Sequence, residues 1–273
     1  MKFPTFLTNK TYIIIFLCII IILLSLLIYL FDETNIAIQP HLNSVYSNSQ
    51  ELHKKYTKLL NENLEVKYEN EVFIINQFLQ PEFFNELKGK FNEKQFKSKD
   101  VYLRKGSGVN FFELHNNNEY FELLDLYYSS EITDLLTNIF KKNIQKPPLH
   151  DPNACSLLIY MNQGDHIDWH KDGSRYNGDR YVVLLTIVNE NADKTGLSQN
   201  EFMYSYNGEE IPVKLQENSI IIFKGSEISH KSTAIGEKER RVLLSMTFCD
   251  ICQEKKNLAV YLDEKIKHAV IYQ

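Results

Sequence analysis

The apolar residues of this chain fall in three successive patterns. Thr11 to Phe31 is an almost unbroken apolar run without a charge, residues 32–70 turn polar, and from 71 onward the apolar positions become periodic. About 20 apolar residues suffice for a helix to cross a bilayer. A removable signal peptide has a shorter apolar core and a small-residue cleavage site, whereas this run ends Tyr29-Leu-Phe-Asp-Glu33. Residues 11–31 are therefore read as an uncleaved transmembrane signal anchor. Lys2 and Lys10 precede it, and Asp32 and Glu33 follow. The positive-inside tendency puts 1–10 in the cytoplasm and the remainder on the luminal or exterior side, a type II arrangement. The polar segment 32–70 reads as a stem. In it Leu52, Tyr56, Leu59 and Leu60 keep helical spacing behind a Ser47-x-x-Gln50 capping-box pattern, and the expectation is a solvated or loosely docked helix.

Beyond the stem, Val72–Ile75 reads as a strand. A helix opened by Pro81, a favoured first-turn residue, follows with Phe84, Leu87 and Phe91 as its buried stripe. Glu119 to Lys141 reads as a helical region ending before Pro147-Pro148. From Cys155 the pattern changes to strands at 155–160, 181–188, 201–206, 209–215, 219–223 and 241–248, and Asn207-Gly208 is a type I′ hairpin signal. Leading helices followed by many short strands predict an α+β domain over 71–252. Its core is expected to be a double-stranded β-helix (jelly-roll) braced by the helices, with 253–273 as a C-terminal extension.

Composition narrows the reading only slightly. At 273 residues there is room for one sizeable domain besides the anchor. A net charge of −5 argues against a broad phosphate-binding surface. Four cysteines are too few for a disulfide scaffold. Cys249-Asp-Ile-Cys252 has no second pair to build a zinc site, and ordinary thiols are expected there rather than a disulfide.

The chemistry concentrates in His170, Asp172 and His230, with Arg241 eleven residues further on. Two imidazoles and a carboxylate can hold one face of an octahedral non-haem Fe(II) and leave three positions open. Arg241 adds a planar, permanently charged fork suited to a carboxylate. A second His-x-Asp, His166-Ile-Asp168, precedes the first. On an ideal strand all four side chains share a face, so periodicity does not choose between the pairs. Position favours His170/Asp172, because Gly173 to Gly178 then forms a loop at the strand end. Arg240 and Arg241 point to opposite faces of one strand, so only one of them enters the pocket and the other is left to an exposed salt bridge. Tyr160 is either a hydroxyl donor to a co-substrate or a packed aromatic.

Tyr160-Met-Asn-Gln-Gly164, Trp169-His170-Lys171-Asp172, Glu217-Asn-Ser-Ile-Ile-Ile-Phe223, His230 and Arg240-Arg241-Val-Leu-Leu-Ser245 resemble the 2-oxoglutarate/Fe(II)-dependent dioxygenase superfamily, its prolyl 4-hydroxylase-like branch above all. Val72-Phe-Ile-Ile-Asn-Gln-Phe-Leu79 and Pro81-Glu-Phe-Phe-Asn-Glu-Leu87 resemble that branch's opening strand and helix. The resemblance implies Fe(II) on His170, Asp172 and His230. It also implies 2-oxoglutarate as co-substrate held by Arg241, with Tyr160 beside it, dioxygen as oxidant and ascorbate as a candidate accessory. The implied reaction is hydroxylation of a C–H bond, with succinate and CO2 as co-products. The anchor would bind the lipid bilayer and expose the domain to secretory polypeptides, so a peptidyl, first of all prolyl, substrate is expected. Gly164 to Asp172 also resembles AlkB-type nucleic-acid demethylases, but Phe248-Cys-Asp250 stands where those carry a further arginine, and the acidic balance disfavours nucleic acid. A metal-free barrel acting as a binding module is the alternative outside enzymes. Oligomeric state is not legible.

Overall fold

The computed structural model describes residues 12–27, 47, 50, 51, 54–92, 94–101, 103–149 and 151–255. Residues 12–27 form helix α1, whose apolar side chains, Ile13, Phe16, Ile21 and Ile22 among them, are exposed. Among the described residues no helix is long and apolar enough to cross a membrane. The ends of the expected 11–31 span, its cytoplasmic flank 1–10 and most of the stem lie outside the described residues.

The folded part is a mostly antiparallel sheet that curls into a half-barrel, consistent with a jelly-roll core. In chain order its elements are β1 (Val66–Glu69), β2 (Val72–Ile75), α2 (Pro81–Gly89), β3 (Lys99–Val101), β4 (Arg104–Val109), α3 (Phe111–Asn116), α4 (Phe121–Tyr128) and α5 (Ser130–Phe140). There follow β5 (Cys155–Tyr160), β6 (His166–His170), β7 (Arg180–Glu190), β8 (Phe202–Tyr206), β9 (Glu209–Val213), β10 (Ser219–Lys224), β11 (His230–Ser232) and β12 (Arg240–Cys249). The strands are ordered β1-β2-β10-β7-β12-β5-β4-β6-β11-β8-β9, with β3 beside β4. Strand β4 pairs with both β5 and β6, so it joins the larger layer to the smaller one.

β7 lies between β10 and β12 and is buried over Tyr181–Asn189, which its Val/Leu/Ile run requires. One face of the larger layer packs against α2, α3, α4 and α5 in the main core, through Val183, Leu185, Leu244, Met246 and Phe248 among others. The other face looks inward at the smaller layer, through Val182, Leu184, Ile221 and Phe223 against Phe202 and Tyr204. Asn207 and Gly208 take φ of 51° and 85°, the paired positive values of a type I′ turn, and close the β8–β9 hairpin.

Three expectations gain detail and one is corrected. β1 pairs with β2, while Tyr56, Leu59 and Leu60 sit in the main core, so of the two states expected for the stem its end takes the docked one. The expected 119–141 helical region holds two α-helices, α4 and α5, divided at Ser129, whose backbone turns extended and whose hydroxyl caps the Glu131 N–H at 3.1 Å. A serine that satisfies a free helix N–H starts a new helix more readily than it continues one. The start of the expected C-terminal extension touches the domain: Asn177 N–H donates to Gln253 O at 2.9 Å and Lys255 N–H to Arg175 O at 2.8 Å. Cys249 and Cys252 form a disulfide instead of remaining thiols. The turn brings their Cα atoms to 5.3 Å, within bridging range, and Asp250 shapes it by accepting from Asp179 N–H and Ile251 N–H.

Candidate active site

β6 and β11 are neighbours in the smaller layer, and their register sets His230 opposite His170. The two ring centroids are 4.2 Å apart. Asp172 follows β6 in a loop held by its own N–H on Gly225 O at 3.0 Å. That approach needs glycine at 225, since a Cβ there would meet Asp172 Cβ at 2.8 Å. The carboxylate spans both imidazoles: Oδ1 is 3.8 Å from His170 Nε2, and Oδ2 is 3.8 Å from His230 Nε2. One ligating atom from each of the three residues lies within 4.8 Å of the others, close enough to share an ion.

The remaining ring nitrogens fix the tautomers. His170 Nδ1 lies 2.7 Å from Asp168 O and His230 Nδ1 3.2 Å from Ile228 O. A carbonyl only accepts, so each ring keeps its proton on Nδ1 and presents a bare Nε2 for a metal. Burial pushes the His230 pKa down to about 4, with Asp172 opposing the shift, so this imidazole is neutral at pH 7. Phe202 and Phe223 flank it, with ring centroids 5.4 and 4.7 Å away.

The rival pair is not brought in. The β6–β11 register slips between the pairings His230↔His170 and Ser232↔Ile167. An irregularity of this kind breaks strict alternation, so Ile167 packs inward near Tyr160 and Leu243 while Asp168 is 60% exposed. His166 Nε2 faces Asp168 Oδ1 at 3.8 Å and neither joins the cluster. Ideal-strand geometry left this choice open because it assumes no bulge.

Arg241 and Arg240 part as neighbours on a strand must. Arg241 is fully buried on the inner face, where its Nη1 donates to Asn200 Oδ1 and to Ser232 Oγ, the latter at 3.2 Å. Its Nε and Nη2 have no hydrogen-bond partner among the described residues. Burial lowers its pKa to about 10, which still leaves the guanidinium charged at pH 7. Arg240 lies on the outer face, but it is not the exposed ion pair expected. Its side chain is 13% exposed, donates to Asn92 O at 3.2 Å and to Phe91 O, and stands 3.8 Å from Glu190.

Tyr160 pairs across from Arg241 and is fully buried, its hydroxyl without a partner among the described residues. Burial raises its pKa, which keeps the proton on as a donor. Gly106 accommodates the ring, because a Cβ there would lie 3.3 Å from Tyr160 Cδ1. Thr186, a weaker candidate in the sequence for the same role as Tyr160, has a buried Oγ1 without a partner among the described residues; its signal is being the one polar residue in Val182–Val188. Asn200 was missed entirely, and a loop asparagine carries no periodic signal.

The residues present fit the implied groups. A His2Asp donor set with open positions suits Fe(II). A dry guanidinium with two free N–H edges, a free tyrosine hydroxyl and a free threonine hydroxyl suit a dicarboxylate co-substrate.

No family model matches the sequence, and no curated protein is similar to it. Among solved structures, the chain is similar to the non-heme alpha ketoglutarate dependent epimerase SnoN from nogalamycin biosynthesis, with a TM-score of 0.51, 9% identity, and 78% of this chain and 89% of that one covered. It is similar to a 2OG-Fe(II) oxygenase family oxidoreductase from Burkholderia pseudomallei, with a TM-score of 0.50, 9% identity and coverages of 68% and 89%. A Pseudomonas putida prolyl-4-hydroxylase matches at a TM-score of 0.47, 13% identity and coverages of 67% and 93%. At such identities what is shared is architecture, and the fold of this chain is that of the 2OG-Fe(II) oxygenases.

Proposed function

We propose that this chain is an Fe(II)/2-oxoglutarate-dependent dioxygenase that hydroxylates a C–H bond of a peptidyl substrate, prolyl residues first. The observation that carries the catalytic reading is Arg241: a buried cation whose partners among the described residues are neutral, on the inner wall facing strands β6 and β11, which hold His170 and His230, with Asp172 just past β6. A buried charge without a counter-ion is costly, and a dicarboxylate that reaches the metal supplies one. The core architecture is read as a double-stranded β-helix.

His170, Asp172 and His230 would hold the Fe(II). When bound, the metal and 2-oxo acid supply the oxidising chemistry, drawing on dioxygen and releasing succinate and CO2. The chain's own residues prepare for it. Asp172 brings the one anionic donor, and its contact with both imidazoles keeps the three together. Neutral His230 offers its Nε2 without losing a proton first. Arg241 takes the distal carboxylate, while Tyr160 and Thr186 donate hydroxyls along the same wall. Val182, Leu184, Phe202 and Phe223 exclude water from the interior.

The peptidyl assignment rests on the motif resemblance to the prolyl 4-hydroxylase-like branch and on topology. The Cys249–Cys252 disulfide supports an oxidising compartment, as does a type II anchor at 11–31. The AlkB-type reading finds no support at the end of β12, where Cys249 is bridged and Asp250 pairs with Lys142 at 2.6 Å. The experiment is to incubate the purified protein with Fe(II), 2-oxoglutarate and proline-containing peptides and to score +16 Da products with stoichiometric succinate. Succinate release without any modified peptide would sink the peptidyl assignment and leave the catalytic one. A C-terminal tag digested on intact microsomes would sink the topology.

A further inference from the structure

Arg241 keeps its unpartnered edge because of what occupies its other edge. Asn200 is 1% exposed and stands in the loop before β8. Its Oδ1 accepts from Arg241 Nη1 and from Ser232 Oγ, the latter at 2.8 Å, while its Nδ2 donates to Thr233 O. Oxygen must face the arginine and nitrogen the carbonyl, so the amide has one orientation. The loop around it is fixed as well. Glu201 N–H donates to Thr233 Oγ1 at 2.8 Å, and Ser198 donates to Asn189 Oδ1 through its N–H and, at 2.6 Å, its hydroxyl.

The acids nearby are turned away. Glu239 spends its carboxylate on the N–H groups of Gln199 and Gly236, and Glu201 faces Lys214 at 3.7 Å. The acceptor that reaches the buried guanidinium is therefore neutral although acidic residues are close in the chain. A carboxylate at that point would form an internal ion pair and satisfy the charge. A neutral amide orients the fork and leaves the charge available.

We propose that Asn200 is a positioning residue for the co-substrate pocket. It fixes Arg241 through Nη1, so that the Nε–Nη2 edge is presented to an incoming carboxylate, and its neutrality keeps that cation unpaired until the carboxylate arrives. The inference rests on the 2-oxoglutarate reading and adds to it a physical basis on which the pocket would select an anion.

The test compares wild type with Asn200→Asp and Asn200→Ala. It uses anaerobic titration of the Fe(II)-loaded protein with 2-oxoglutarate, Fe(II) affinity, and thermal melting of the metal-free protein. Asn200→Asp is expected to raise the 2-oxoglutarate dissociation constant about 100-fold, the scale on which losing a buried charge pair acts. Fe(II) affinity should stay within about threefold, because ligands and their hydrogen bonds are untouched. The melting temperature should not fall, since Arg241 gains a partner. Asn200→Ala, which frees Nη1 without neutralising the charge, should weaken 2-oxoglutarate only about tenfold. Wild-type affinity in Asn200→Asp would overturn the positioning role, and so would parallel losses of stability, Fe(II) and 2-oxoglutarate binding in both variants. A wild-type protein that binds Fe(II) but no 2-oxoglutarate would instead overturn the functional reading, and this inference with it.

Discussion

The two faces of the larger sheet layer are built from the same strands and do opposite things. Toward the helices, β7 and β12 show Val183, Leu185, Leu244, Met246 and Phe248, all buried in one apolar core. Toward the interior the same strands show Thr186, Arg241 and Thr247, buried and polar. A core of the first kind stabilises by removing apolar area from water. Buried polar atoms without partners, here Arg241 Nε and Nη2, Tyr160 Oη and Thr186 Oγ1, cost stability unless something else satisfies them. The outer face therefore specifies the fold and the inner face specifies a ligand. Arg240 and Arg241 show this at single-residue resolution: the outer arginine, its Nε unpartnered too, gives both Nη groups to the carbonyls of Asn92 and Phe91, while the inner one keeps Nη2 free among the described residues.

The contrast predicts which property each substitution damages. Asp172→Ala should remove turnover altogether, well beyond the roughly 100-fold that loss of an outer partner of a metal ligand costs, while melting of the metal-free protein changes little. Steady-state assays and a melting curve check both parts. Arg241→Ala should raise the 2-oxoglutarate KM by about 100-fold or more, the cost of removing one side of a buried charge-assisted pair. Fe(II) affinity should hold. On the other face, Leu244→Ala should cost about 2–5 kcal/mol in urea unfolding and leave the 2-oxoglutarate KM within error; a shifted KM would break the division between faces.

Smaller effects sharpen it. His230 has a folded pKa lowered to about 4 by burial against an ordinary 6.5. As pH falls below 6.5 the unfolded chain takes up the proton first, so the stability of the metal-free protein is full above 6.5 and declines toward pH 4. The loss reaches about 3 kcal/mol and should be absent in His230→Gln, as urea unfolding across that range would reveal. Arg240→Ala should cost only about 1 kcal/mol through its carbonyl contacts, with KM unchanged. Equal KM effects at 240 and 241 would undo the account of the strand's two sides.

Much of the outer face was legible in the sequence, because apolar periodicity records packing. β5 is found at the expected residues, and β7, β8, β10 and β12 within two residues of them. Elements without strong periodicity were not legible. β4 (Arg104–Val109) has two glycines and two cations in six residues and reads as a loop. Helix α3 carries a local signal, the Asn110-x-x-Glu113 capping box, but no apolar periodicity long enough to mark a helix. The site's membership in the sequence came from spacing and resemblance. The structure adds the β6 irregularity that separates His170 from Asp168, a tertiary feature with no local residue signature. The same holds for Asn200, which meets Arg241 directly from a loop 41 residues earlier in the chain, with Ser232 of β11 touching both.

His170, Asp172 and His230 would hold one Fe(II), and Arg241 the distal carboxylate of 2-oxoglutarate. Anaerobic addition of Fe(II) and then 2-oxoglutarate to the purified protein tests this most directly. A visible metal-to-ligand charge-transfer band should appear at one Fe(II) per chain. It should be lost in His170→Ala and retained in His166→Ala and Asp168→Ala. No band in the wild type, or a band that survives His170→Ala but not His166→Ala, would contradict the account.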